Sequence, residues 1–492
     1  MALLKKAWLG EDDAAREDID SIYRYFVYLN VFDEFIDSNP KIRVILGRKG
    51  IGKSTLVKWA ASHIEESDAK AIVCSIKGSD IYRFKTQDDS SNAYGEVNQI
   101  IDSLSSLINF EIAKRIGFAL KPDDIDIVHQ ASSEGKIRRD PISYFLDHAL
   151  TIFQEKLKLH PSKGSIKDAF EMFKRGERKV WIFADDLEYD YRDNEEYNSF
   201  LRSFFTACNQ LCSVNKHVRF RVVLRPDVWA NIEPHADIGS KLRGQILHIE
   251  WKRNDFKEFL FRRIPDSEIY DDPVSSSIQE SILEPYFPKN ITWADRTTSL
   301  HDIIFSYSDR RPRWALDLLR ESIDSAEYYR KTTLDESCLK SALPRYSNSR
   351  LIDLSSEFSH ECAQILSITR TFIDKPNKMT SSDLISHIQK HIIPLHPIIN
   401  DSKADLYEIG NFLVRIGFLL QRTILDDSYM HVEYDDKAKP FNADSINRSE
   451  VLWEINLCFR EAMNTKGLSI SLGDRSDLRS EPRRKFSRKR AR

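Results

Sequence analysis

Cysteine is scarce, six in 492 residues, and that rules out a disulfide scaffold as the source of stability. Cys208 and Cys212 stand one helical turn apart, but no other Cys or His pair is spaced to complete a zinc site. Buried, reduced thiols are expected. No uncharged run approaches the roughly 18 residues needed to span a bilayer. The opening stretch, Met1-Ala2-Leu3-Leu4-Lys5-Lys6-Ala7-Trp8, lacks the apolar centre of a secretion signal. A cytoplasmic protein of bacterial type, without a membrane partner, is expected. Charge of one sign is missing too. The formal net charge is −3, and residues 473–492 hold nine Arg or Lys against three Asp or Glu, which leaves −9 on the rest. A mildly acidic body with a basic tail is not the footprint of a protein that wraps nucleic acid over its whole surface. Internal repeats are absent, and the Arg/Lys/Ser-rich tail reads as disordered.

What is present is a soluble globular profile, 41% hydrophobic and 30% charged, in a chain too long for one ordinary core. Residues 15–37 have helical spacing of Ile19, Ile22, Tyr23, Phe26 and Phe35. Short apolar, β-branched segments at 41–46, 71–76, 180–184, 218–224 and 246–251 alternate with helical patterns, including 54–67, 95–119 and 194–213. That alternation predicts an α/β domain with a parallel sheet and right-handed crossovers. From Asp255 to Glu327 the pattern is helical only. Beyond Leu351 the order reads helix, helix, helix, strand, turn, strand.

The chemistry begins at Gly47-Arg48-Lys49-Gly50-Ile51-Gly52-Lys53-Ser54-Thr55, between the first strand and its helix. Glycines there let backbone N–H groups converge on phosphate oxygens, and the helix adds its positive end. Lys53 would meet the β- and γ-phosphates, and the Ser54 hydroxyl would join a Mg²⁺ shell. This context makes the whole stretch, Gly47 to Thr55, a nucleotide-binding loop for ATP and Mg²⁺. Val180-Trp181-Ile182-Phe183-Ala184-Asp185-Asp186 is the second element. Two carboxylates at the end of a buried strand repel each other unless a divalent cation faces them. Asp185 would hold Mg²⁺ through water, and Asp186 or Glu188 would orient the attacking water. Arg225 follows the fourth strand, at the end that faces the ligand crevice of an open α/β sheet, where a guanidinium can read a γ-phosphate. Pro312 suits the first turn of a helix and puts Arg313 at its positive end, a conflict that a nearby phosphate would remove.

These four motifs, GRKGIGKS, an apolar strand ending in ADD, VVLRPDVW and RRPRWALDLL, resemble P-loop ATPases of the AAA-like and STAND-like branch. They are closest to the bacterial stand-alone and KAP-type ATPases of defence islands. RPRWALDLL is also similar to the sensor-2 helix of origin-recognition initiators, which a winged helix follows. The resemblance implies that the fourth strand lies between the P-loop and Asp185 strands. Arg225 would then take a sensor-1 position and Arg313 the sensor-2 role, with Arg243 a candidate arginine finger. It implies an ATPase core over 1–254 with an insertion at about 86–165, a helical lid over 255–345, a winged-helix-like domain over 350–465 and the basic tail from 473. The would-be recognition helix, 404–415, has two acids, one base and no basic stripe, which favours a protein contact over DNA reading. The expected function is a Mg²⁺-dependent ATPase switch, as a homo-oligomer, that regulates an effector encoded nearby, in antiphage defence. The alternative is a DNA-loading initiator-like ATPase that uses the winged helix, with the tail as a possible nucleic-acid contact. His360 and Cys362 read as ordinary helix residues. No guanine-reading Asn/Thr-Lys-x-Asp element and no second catalytic constellation is found.

Overall fold

The computed structural model describes residues 4–6, 9–11, 16–68, 71–78, 179–188, 191–214, 217–234, 236–264, 275–293, 296–425, 428–432 and 451–465, with isolated positions at 97, 98, 100, 101, 104 and 441. Apart from those isolated positions, the expected insertion and the helix assigned at 95–119 lie outside these residues, as does the basic tail.

The chain opens with α1 (Ile19–Tyr25) and α2 (Val31–Ile36), where the spacing predicts one long helix over 15–37. The break falls where Phe26 stacks on Trp59, centroids 4.6 Å apart, and Tyr28 meets the same ring edge-on. Tertiary aromatic packing overrides a continuous helical pattern. Then come β1 (Ile42–Leu46), α3 (Lys53–Ser67), β2 (Ile72–Lys77), β3 (Val180–Asp185), α4 (Glu195–Val214), β4 (Val218–Leu224), α5 (Pro226–Ile232), α6 (Ala236–Leu242) and β5 (Ile246–His248). The five strands are parallel, in the order β2-β3-β4-β1-β5. The fourth strand therefore does separate the glycine-loop strand from the Asp185 strand. This is an α/β P-loop NTPase core.

Period-two alternation divides each strand between two faces. Val44, Ile182, Ala184, Phe220, Val222 and Leu224 pack with Phe204, Phe205 and Cys208 of α4. Ile45, Trp181, Phe183 and Val223 face α3 and the N-terminal helices. Arg221 shares that second face and is fully buried. Its guanidinium lies 4.6 Å from the Trp181 ring centre and donates to the carbonyls of Phe35, Asp37, Pro40 and Phe220. Two of those carbonyls close the last turn of α2, where a cation is favoured.

A lid follows: α7 (Arg253–Phe261), α8 (Ser276–Leu283), β6 (Ile291–Trp293), β7 (Arg296–Thr298), α9 (Leu300–Tyr307), α10 (Pro312–Tyr328) and α11 (Glu336–Glu357). The antiparallel β6–β7 pair corrects the all-helical expectation for this region. α11 also runs unbroken through 345–350, the expected lid boundary.

The C-terminal part holds α12 (Ile365–Arg370), β8 (Lys378–Thr380), α13 (Ser381–His387), a short β9–β10 pair (Ile398–Ile399, Ser402–Lys403), α14 (Leu406–Arg415), β11 (Leu419–Leu425), β12 (Ser428–Val432) and β13 (Val451–Ile455). Its sheet order is β12-β11-β13-β8, antiparallel throughout. Three helices with a strand ahead of the second fit a winged-helix-like arrangement. The strand, turn and strand expected after the third helix correspond to β11 and β12, but β13 takes the central place that joins β11 to β8. Its distance in sequence from β11 hid it from a local reading. All six cysteines are buried and free. Among the described residues, no helix is long and apolar enough to cross a membrane.

Candidate functional site

Strand register sets the site. Leu46 aligns with Leu224, and Ala184 with Val222, so the loops after β1, β3 and β4 leave the sheet at one end. The Gly47 N–H donates to the Leu224 carbonyl at 3.0 Å, which ties the loop to β4. Gly50 and Gly52 have φ of +82° and +108°, values that strain any side chain, and open space surrounds the Cβ position of Gly52. Lys53 and Ser54 begin α3, so its unpaired N–H groups face the same space.

Lys53 donates to the Gly47 carbonyl at 2.7 Å and stands 3.3 Å from a carboxylate oxygen of Glu188. The Ser54 hydroxyl is hydrogen-bonded to Asp185. Burial raises the Asp185 pKa, helped by the neighbouring Asp186 charge. Burial also raises that of Glu188, against the pull of Lys53 and Arg225. The Glu188 side chain is 11% exposed, and its second oxygen has no hydrogen-bond partner. Asp186 is exposed, in a left-handed turn at φ 55°, with its N–H bonded to Asp185. Of the two carboxylates proposed from sequence to orient water, Glu188 is thus the one beside Lys53. The turn at Asp186 swings the chain so that the third residue after Asp185 points back into the site.

Arg48 is half-buried, 3.6 Å from Asp309, while Lys49 is exposed; Ile51 is buried and Thr55 half-buried. The Arg313 backbone N–H donates to the Gly50 carbonyl at 3.2 Å, which places the start of α10 against the loop. Arg225 is buried and turned toward the C-terminal part. It donates to both carboxylate oxygens of Asp227 and lies 4.5 Å from the Phe358 ring centre. Burial opposes the charge of Arg225, yet Asp227 holds its pKa above the ordinary guanidinium value. Arg243 is exposed just before β5, at the end of the sheet away from the glycine loop. From there it does not reach the glycine loop of its own chain. Among the described residues no group of three or more His, Cys, Asp or Glu is placed to hold a metal without other ligands, and His360 and Cys362 belong to none.

Sequence reasoning missed three contributions, the second of them made by a pair of residues. Trp251 donates its indole N–H to the Ile51 carbonyl at 2.9 Å and braces the loop. Arg415 and Glu361 reach the Arg225 side from the C-terminal part. Gly78, just past β2, is the third. A Cβ there would lie 2.3 Å from the Asp186 carbonyl oxygen and 2.6 Å from the Leu187 Cα, both backbone atoms. Gly78→Ala is therefore expected to cost roughly 1–3 kcal/mol of stability by overpacking and to displace the loop that aims Glu188. Thermal melting checks this, and an unchanged transition would refute the close approach.

The residues present suit a nucleotide phosphate tail and a hard divalent cation: converging N–H groups, one lysine, one hydroxyl and buried carboxylates. The family described as FunZ-associated C-terminal helical domain matches residues 254–355, the lid as far as α11. No curated protein matches the chain. Among solved structures it is similar to the ORC2 protein of Aeropyrum pernix in ADPNP–ADP complexes, at 12% identity over 94% of this chain and 98% of that one, TM-score 0.37. Similarity extends to CDC6P of Pyrobaculum aerophilum, at 10% identity over 94% and 97%, TM-score 0.31. The Holliday junction branch migration motor RuvB of Thermotoga maritima gives 10% identity over 87% and 97%, TM-score 0.29. Likenesses at these scores are too slight to bear on function.

Proposed function

We propose that this chain is a Mg²⁺-dependent ATPase that works as a switch, its nucleotide state passed through the lid and C-terminal part to a partner protein. The observation that carries this reading is the pairing of Lys53 with Glu188 beside the Ser54–Asp185 hydrogen bond. Lys53 and the N–H groups of Gly50 to Ser54 bind the phosphates. Ser54 and Asp185 would hold the cation, which would neutralise charge on the phosphate oxygens. Glu188, once Lys53 faces phosphate, is free to accept a proton from water in a site shielded by α10. Arg313 completes the wall above the loop. Asp186 forms the left-handed turn that aims Glu188, its N–H held by the Asp185 carboxylate.

Protein contact is favoured over DNA reading for the C-terminal part. Arg415, the one base of the would-be recognition helix, is 10% exposed and paired with Glu361. Ile409, Phe412 and Leu413 of that helix are buried in the core. Duplex binding needs phosphate-directed Lys or Arg on the exposed face. Homo-oligomerisation is supported by the exposure of Arg243 away from its own site. An antiphage setting and an effector encoded nearby rest on the motif resemblance alone.

The test is ATP binding and turnover by wild type and Lys53→Ala. Loss of one charge-assisted phosphate contact of about 2.7 kcal/mol should weaken ATP binding about a hundredfold. Equal turnover by the two proteins would mean that this loop is not the engine.

A further inference from the structure

Four side chains meet where the carboxyl end of β4 faces the C-terminal part. Arg225 and Asp227 come from the core. Glu361 and Arg415 come from beyond α11. All are 10% exposed or less. Hydrogen bonds join each pair within its own part, Arg225 to Asp227 and Arg415 to Glu361. The two pairs that cross the boundary are longer, 3.8 Å for Arg225–Glu361 and 3.7 Å for Arg415–Asp227. Glu361 Oε1 and Arg415 Nη1, the atoms that face across, have no hydrogen-bond partner. Separation of the quartet would break two long ion pairs and no hydrogen bond, and each side would leave with a neutral pair; elsewhere the boundary carries the exposed Arg192–Asp401 contact at 3.4 Å. Breaking a buried pair is costly because it strands a charge; this contact strands none.

The same cluster touches the nucleotide loop from two directions. Arg225 follows Leu224, whose carbonyl accepts from Gly47. Glu188, the partner of Lys53, also acts electrostatically on Arg225. A cavity lined by Arg48, Arg225, Arg311, Glu357, Phe358 and Arg415 lies at the junction. Arg48 of the glycine loop approaches Gly417, where its guanidinium would sit 3.4 Å from a Cβ. Around the quartet the contact between core and C-terminal part is dominated by charged side chains, with Pro226, Phe358 and Ile416 beside them, whereas the lid meets the C-terminal part through apolar packing such as Trp314 on Phe459. Polar boundaries of this kind are the ones across which domains move.

We infer that Glu361 and Arg415 are positioning residues for Arg225, and that the quartet is a separable latch through which a nucleotide triphosphate at the glycine loop undocks the C-terminal part. The inference rests on the proposed ATP site. Anionic charge added beside Lys53 and Glu188 draws Arg225 toward the loop and away from Glu361. The C-terminal part then keeps its own Arg415–Glu361 pair and comes free to meet a partner. In the docked state Glu361 holds Arg225 back, so its charge opposes nucleotide binding.

The experiment uses full-length protein with spin labels at Gln210→Cys and Ile398→Cys, both exposed positions. The native cysteines are buried and will not compete for label. Without nucleotide, wild type should give one short distance. The double exchange Glu361→Arg/Arg415→Glu keeps the C-terminal pair but sets like charges across the boundary, and it should shift that distance longer. Adding Arg225→Glu/Asp227→Arg should restore it. An unchanged distance in the double exchange would overturn the latch. ATPγS with Mg²⁺, its binding measured in the same samples, should lengthen the wild-type distance while ADP does not. Bound ATPγS with no change in distance would overturn the coupling. Failure of wild type to bind ATPγS would instead overturn the reading of the nucleotide site, with the exchange series still deciding the docking contact. Glu361→Gln should lower KM for ATP about fivefold, the low end of ordinary coupling energies, and leave kcat near wild type. A purely structural role would lower kcat and the melting temperature together.

Discussion

Glu188→Gln is expected to reduce ATP turnover about 10²- to 10⁴-fold while ATP still binds, the range that a positioned base contributes. The amide keeps the size and hydrogen-bonding reach of the carboxylate but cannot take a proton. Glu188 is chosen over Asp186 because its carboxylate lies 3.3 Å from Lys53, with one oxygen buried and unpartnered, whereas Asp186 is exposed. Binding should be unchanged or tighter, since a buried negative charge beside the phosphates is gone. The pH dependence follows in sign. Burial raises the Glu188 pKa above the ordinary carboxylate value, and the base works only when ionised. Wild-type turnover should therefore fall, as pH is lowered, at a pH above that of a free glutamate. If the residual activity of Glu188→Gln shows no such limb, the limb belongs to Glu188; if it persists, it belongs to Asp185, whose pKa is also raised. Wild-type turnover by Glu188→Gln would remove Glu188 from the chemistry.

Arg221→Met should destabilise the ATPase core by about 3–5 kcal/mol, because several buried carbonyls lose their donor at about 1–3 kcal/mol for each one left unsatisfied. Methionine fills the volume and can pack on Trp181. It cannot satisfy the four carbonyls of Phe35, Asp37, Pro40 and Phe220. Unsatisfied buried carbonyls are costly, and the last turn of α2 loses the cation that anchors it to β4. Relief of repulsion from Arg219 and Arg43 offsets part of this loss. The melting temperature should drop by about 10 °C for a domain of this size. A shift under about 2 °C would mean that the guanidinium is a passenger.

The candidate site was half legible. Gly47 to Ser54 could be read because phosphate loops act through backbone geometry, which glycine spacing encodes locally. Asp185 could be read because a charge closing a buried strand is anomalous on its face. The choice between Asp186 and Glu188 could not. It depends on a left-handed φ at Asp186 and on Gly78, just past the neighbouring strand β2, which lets that turn approach. Arg225 was recognised as a residue with a purpose, but its partners Glu361 and Arg415 lie more than 130 positions away in the sequence. Nothing local marks them. The single helix expected over 15–37 failed for the converse reason, because a distant Trp59 outweighs local spacing.

By itself, then, the sequence determined the strand-and-helix alternation, the phosphate-binding loop and the carboxylate that closes β3, each a matter of spacing within a dozen residues. Tertiary structure alone decided which second carboxylate meets Lys53, where Arg221 finds its acceptors, and that Arg225 is shared between the core and the C-terminal part. Those outcomes depend on strand order and domain docking, which bring together groups whose attraction falls with distance in space and is indifferent to distance along the chain.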